Sequence, residues 1–246
     1  MPFKIRRNVL HGILNGIDYS RWNPETDPTL AANYSATDLT GKTICKDALQ
    51  TAAGFDADPA VPLLGIITRL VPQKGINRLI DSIDQLMAAG VQLIILGTGD
   101  PIYEQACREW AEKYPKQVCA WIEFSFEKAH QIEAGLDLFL MPSEFEPCGQ
   151  NQMYSMRYGT LPLVHGVGGL EDSVIDADLP NGTGFKFHED TSEAFFQCIE
   201  RALKLFKNKR KWTAVMKRAM KQDFSVVHMA RDYIALYEKL ISESEH

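Results

Sequence analysis

From Val61 onward the chain alternates short apolar runs with stretches in which apolar residues recur every three or four positions. Residues 62–67, 91–96, 118–122, 137–141 and 161–164 are apolar without a polar residue at every second place. That pattern predicts strands buried on both faces, as in a parallel sheet. Between them, 76–89, 101–114, 127–134 and 150–158 carry helical periodicity, usually opened by Gly, Pro or a charged residue. Strand and helix alternating at this spacing predict right-handed βαβ units and a doubly wound parallel sheet. Beyond residue 190 the pattern is helical throughout, at 191–206, 209–222 and 225–241. The first sixty residues are instead broken by turn formers: Asn15-Gly16-Ile17-Asp18, Asn23-Pro24, Asp27-Pro28 and Asp56-Ala57-Asp58-Pro59. They leave room for one short helix, at 42–53. The expected organisation is a connecting segment over 1–60, an α/β Rossmann-like domain over 61–190, and a helical extension of that domain over 191–246.

Composition narrows the partners. A chain of 246 residues can bury a sizeable core, and its 26 Lys and Arg against 32 Asp and Glu leave a net charge of −6. No basic field exists to hold a nucleic acid backbone. The basic run from Lys204 to Lys221 is interleaved with Phe206, Trp212, Val215 and Met216, a solvated helix face over core positions. The longest apolar runs are too short to span a bilayer. The basic start, Met1 to Arg7, lacks the apolar stretch of a secretory signal. Five cysteines without CxxC spacing suggest neither a disulfide framework nor a zinc site. A soluble intracellular protein without nucleic acid or membrane partners is expected.

A doubly wound sheet binds ligands beyond the carboxyl ends of its strands, and the loops there carry unusual residues. After the first strand, Arg69 and Lys74 precede Gly75 and a helix start. A planar guanidinium and a mobile ammonium suit the oxygens of a diphosphate, although two solvated surface cations would give the same pattern. After the second strand, Gly97-Thr98-Gly99-Asp100-Pro101 offers amides to a phosphate or sugar, and equally reads as a plain turn with Asp100 as N-cap. After the third, Phe124-Ser125-Phe126 offers an aromatic face to a base, with at least one ring expected in the core. After the fourth, Glu146-Pro147-Cys148-Gly149-Gln150-Asn151 places a carboxylate and a turn ahead of a helix, where Glu146 could accept from sugar hydroxyls and amides could meet phosphate. Cys148 reads as a packing residue, since a nucleophile would need a base beside it. After the fifth, His165-Gly166-Val167-Gly168-Gly169-Leu170 permits close backbone approach or a tight turn. His165 and His130 read as solvated or structural.

These motifs, in this order, resemble the C-terminal half of the ADP-glucose-dependent bacterial glycogen synthases and plant starch synthases, which have the GT-B fold. The resemblance runs from His11-Gly12-Ile13-Leu14-Asn15-Gly16-Ile17-Asp18 and Trp22-Asn23-Pro24 to about Phe187, through Arg69-Leu70, Gln73-Lys74-Gly75, Leu96 to Asp100, Phe145 to Gly149, Gln152, Met156 to Gly159 and Gly168-Gly169-Leu170. It implies a retaining, metal-free hexosyltransferase that moves glucose from ADP-glucose to the non-reducing end of an α-1,4-glucan, in a bacterial cytoplasm or a plastid stroma, with no cofactor beyond the substrate nucleotide. It implies that Arg69 and Lys74 hold the diphosphate and that Glu146 lies near the donor glucose. Asn15 would reach the sugar from the interdomain hinge. Phe124 would lie beside the adenine, and the turn Cys148-Gly149-Gln150-Asn151 would meet the phosphate. The glycines Gly97, Gly99, Gly168 and Gly169 complete the expected binding set. The family more often has Leu and Thr at Gln150 and Asn151, and Tyr154 stands where related retaining enzymes have a second acid. The N-terminal GT-B domain, with its Lys-x-Gly-Gly-Leu loop, is missing from this sequence, so little turnover is expected of these residues alone. The alternatives are a non-catalytic interaction or glucan-binding module derived from a synthase, or a GT-B transferase using UDP-sugars.

Overall fold

The computed structural model describes residues 9–244; the basic run at residues 1–7 lies outside them. Six parallel strands form one sheet: β1 (Leu63–Ile67), β2 (Gln92–Leu96), β3 (Val118–Trp121), β4 (Leu138–Met141), β5 (Leu161–His165) and β6 (Phe185–Phe187), in the order β3-β2-β1-β4-β5-β6. Every residue of β2, β4 and β5 is buried, which is why these runs lack polar alternation. The crossover helices are α2 (Ile76–Ala88), α3 (Pro101–Lys113), α4 (Phe126–Gly135), α5 (Asn151–Arg157) and α6 (Gly168–Ser173). Ahead of them lies α1 (Thr40–Ala52), and after them α7 (Ser192–Phe206), α8 (Lys209–Met220) and α9 (Val226–Ser244). In α2, Ile76, Leu79, Ile83 and Leu86 recur at three- and four-residue steps and are all buried. No helix among the described residues is long and apolar enough to cross a membrane.

The order in which strands are added reverses at β1, which pairs with β2 on one side and β4 on the other. The carboxyl ends of β1 and β4 therefore bracket the crevice where such sheets bind ligands. Beyond β1 the chain forms one turn of 3₁₀ helix, Pro72–Lys74, and enters α2 through Gly75 at φ +73°. A side chain on Gly75 would put its Cβ 1.8 Å from the carbonyl oxygen of Pro142, so only glycine lets the loops after β1 and β4 meet.

Three features differ from the sequence expectation. The strand β6 and the helix α6 were not anticipated. Part of the expected connecting segment, among the described residues, enters the core. Asp27 and Tyr34 are buried, and Tyr34 packs with Cys45, Ala134, Tyr158 and Met220 in a second apolar cluster. Finally, Phe124 and Phe126 are both exposed and meet edge to face at 4.9 Å, so neither ring enters the core. The Ser125 hydroxyl accepts from the Lys128 amide and caps α4, which turns the flanking rings outward.

Candidate functional site

The loops after β1 and β4 enclose a hollow of about 230 Å³ lined by Arg69, Lys74, Ser143, Glu146, Gly149, Gln150 and Asn151. Lys74 Nζ lies 2.5 Å from Glu146 Oε2, and both side chains are largely buried. The Ser143 hydroxyl donates to the same carboxylate oxygen at 3.4 Å. Arg69 is exposed, and its guanidinium has no partner among the described residues. Asn151 donates from Nδ2 to the Ile67 carbonyl at 2.9 Å, sealing the floor at the end of β1. A fixed cation, a free cation and a carboxylate thus share one small, concave space.

A second hollow of about 380 Å³ adjoins the first, sharing Ile67, Thr68, Arg69 and Asn151 with it. Its walls are Phe124 and Phe126, Gly97 and Thr98, and the pair Trp22 and Tyr154. Trp22 is sandwiched between His130 at 3.9 Å and Tyr154 at 3.8 Å, nearly parallel to both rings. His130 is pinned in turn: its Nδ1 lies 2.6 Å from the buried Asp27, which also accepts from the Tyr158 hydroxyl at 2.5 Å. Burial pushes the Asp27 carboxyl up, but hydrogen bonds from Thr29, Tyr158 and His130 outweigh it and hold the group below the usual carboxylate range. Aromatic walls beside a cationic hollow suit a base joined to a diphosphate. Trp22 and Tyr154 were not in the expected set. Only the packing of residues 18–34 onto α4 and α5 brings Trp22 here, and no local signal announces it.

The remaining expected residues divide. Gly97 lines the aromatic hollow and Gly149 and Gln150 the cationic one. Gly99 lies outside both: it bridges to Leu70, and its amide donates to Glu104 Oε1 at 3.0 Å. Asp100 stands at the N-cap of α3 with Pro101 at N1, as expected, yet its side chain makes no cap bond. Gly168 and Gly169 pack α6 onto the turn instead of lining the cationic hollow. A Cβ on Gly168 would fall 2.2 Å from the Glu146 carbonyl oxygen, and one on Gly169 would fall 2.4 Å from the Cys148 Cα. Asn15 reaches Cys148, whose Sγ accepts from the Asn15 amide at 3.3 Å, but both border a neighbouring hollow of about 590 Å³. His165 is buried and structural, its two ring nitrogens facing the carbonyls of Ser143 and His188. No group of three or more His, Cys, Asp or Glu among the described residues could hold a metal ion.

Comparison with known proteins shows the family and the fold. Residues 54–218 match the model of the family Glycosyl transferases group 1. The glycogen synthase of Anaeromyxobacter dehalogenans is 50% identical over 236 residues, covering 96% of this chain and 50% of the relative. That of Thioalkalivibrio sulfidiphilus is 46% identical over 243 residues, with coverage of 96% and 50%. Among solved structures, the catalytic domain of Starch Synthase IV from Arabidopsis thaliana, bound to ADP and acarbose, superimposes with a TM-score of 0.90 at 36% identity. It covers 98% of this chain and 51% of that one. The chain spans about half the length of the relatives it matches.

Proposed function

Since the chain belongs to the glycosyl transferases of group 1, and half its residues coincide with those of a bacterial glycogen synthase, we propose that it is the nucleotide-gripping half of an ADP-glucose-dependent glucosyltransferase. The reaction is the transfer of glucose from ADP-glucose to the non-reducing end of an α-1,4-glucan, with retention at the anomeric carbon. The observation that carries this reading is the convergence of Arg69, Lys74 and Glu146 in one hollow, beside an aromatic-walled one.

As the bond from the anomeric carbon to the diphosphate breaks, negative charge builds on the departing ADP. Cations fixed around that position lower the barrier, because they interact more strongly with the transition state than with the ground state. Arg69 contributes a planar fork that no group among the described residues occupies, and Lys74 an ammonium already aimed into the hollow. Glu146 holds Lys74 in place and offers its other oxygen to a donor-sugar hydroxyl. The base lies against Phe124 on one side and the Trp22–Tyr154 stack on the other. The acceptor glucan and the opposite wall of the cleft are assigned to the N-terminal GT-B domain.

Calorimetric titration of a polypeptide of these 246 residues tests the reading. It is expected to bind ADP weakly, to bind UDP less, and to incorporate little or no labelled glucose into glycogen. Equal affinity for UDP would favour the UDP-sugar alternative, and no affinity for either nucleotide would favour a non-catalytic module.

A further inference from the structure

Gln152 is fully buried at the start of α5, yet its side chain is polar and touches neither hollow. Its Nε2 lies 3.1 Å from the Cys148 carbonyl oxygen, 3.2 Å from that of Gly149, and 3.0 Å from the Ser173 hydroxyl. Both carbonyls can only accept. The hydroxyl already donates to the Gly169 carbonyl at 2.6 Å, so it too accepts from Gln152. The amide nitrogen must therefore face this group, and its two hydrogens are shared among three acceptors. The Gln152 Oε1 is left buried without a partner among the described residues. A buried polar atom with no partner costs stability, so an apolar side chain would serve better if filling space were the only task.

The consequence for the turn follows from the planarity of the peptide. In a trans peptide the carbonyl of one residue and the N–H of the next point in opposite directions. Drawing the carbonyls of Cys148 and Gly149 inward to Gln152 drives the N–H groups of Gly149 and Gln150 outward. Those two residues line the hollow with Arg69 and Lys74, and their amides donate to no group among the described residues. We infer that Gln152 is a positioning residue: a buried amide that fixes two peptide planes so that the Gly149 and Gln150 hydrogens face the diphosphate. The inference rests on the nucleotide reading above and adds to it the group that sets the oxyanion geometry. Ser173 extends the same bolt into α6, which explains why the turn and α6 approach closely enough to require glycine at 168 and 169.

The test is Gln152→Met, which keeps the length of the side chain and removes the donor, with ADP, inorganic pyrophosphate and adenosine as separate ligands. The expected result is a roughly tenfold loss of affinity for ADP and pyrophosphate, with adenosine affinity and a cooperative unfolding transition retained. Unchanged ADP affinity in the folded variant, or an equal loss for adenosine, overturns the inference, since a merely structural role would not separate the ligands. If the variant does not fold, the unaltered protein decides. On titration with pyrophosphate the backbone amide resonances of Gly149 and Gln150 should shift most. Their standing still while Arg69 and Lys74 respond would overturn the assignment. An unaltered protein with no affinity for ADP or pyrophosphate would instead remove the nucleotide reading, and this inference with it.

Discussion

The two edges of the sheet treat charge in opposite ways. At the amino end the buried lysines are answered from within the protein. Lys46 donates to the carbonyls of Pro59 and Val61 and pairs with Asp137 at 2.7 Å, while the Leu63 amide donates to the same carboxylate. Lys42, deeply buried, donates to the Ala134 carbonyl and the Thr160 hydroxyl, and burial lowers its pKa to about 8. Glu133 finds no partner for either carboxyl oxygen among the described residues, and burial drives its pKa well above the ordinary carboxylate range. At the carboxyl end Lys74 pairs with Glu146, while Arg69 and the amides of Gly149 and Gln150 have no partner among the described residues around the same hollow. The amino end answers its buried lysines from within the protein, while the carboxyl end leaves one guanidinium and two amides open, a difference that supports the nucleotide reading.

That contrast breaks most visibly at Asp137. Asp137→Ala leaves Lys46 buried without its counter-ion and the first amide of β1 without an acceptor. We expect a loss of about 3–5 kcal/mol of unfolding free energy in urea titration, a large part of a typical domain's margin, with ADP affinity unchanged in the protein that remains folded. The converse holds at the other edge. Arg69→Ala and Lys74→Ala should each weaken ADP binding by about 1.5–3 kcal/mol, the range for charge-assisted hydrogen bonds. Arg69→Ala should shift stability by no more than about 0.5 kcal/mol, because the guanidinium supports nothing in the fold. Unchanged ADP affinity in both variants would mean the clamp lies elsewhere.

Sequence pattern carried the strands that are continuous and apolar, and the cations and carboxylate that follow them, because both signals are local. It did not carry β6. Phe185-Lys186-Phe187 is three residues long with a lysine at its centre, too short to be distinguished from a loop. Helix α6 begins at Gly168-Gly169, where the sequence allowed close backbone approach or a tight turn, and the structure has the close approach, to Glu146 and Cys148. Trp22 joins the aromatic wall through a stack on His130 and Tyr154, more than a hundred residues away, a contact no spacing rule anticipates. Gln152 stood in the sequence only as one letter of a motif. Its task lies in which carbonyls it meets, and that is decided by the turn, not by neighbouring residues.

The smallest expected effect lies at Cys148, and it sharpens the contrast by separating thiol from backbone. The Cys148 Sγ accepts one hydrogen bond, from the Asn15 amide, and faces the neighbouring hollow lined by residues 12–16. A serine oxygen can accept the same bond, and the peptide planes on its carboxyl side remain held by Gln152. Cys148→Ser should therefore change ADP affinity by about 0.5 kcal/mol or less, while the same titration on Gln152→Met falls tenfold. Loss of all nucleotide affinity in Cys148→Ser would place the grip in the thiol and not in the amides that follow it. Retention of affinity there with loss at Gln152 would show that the carboxyl edge binds through backbone geometry set from within the core.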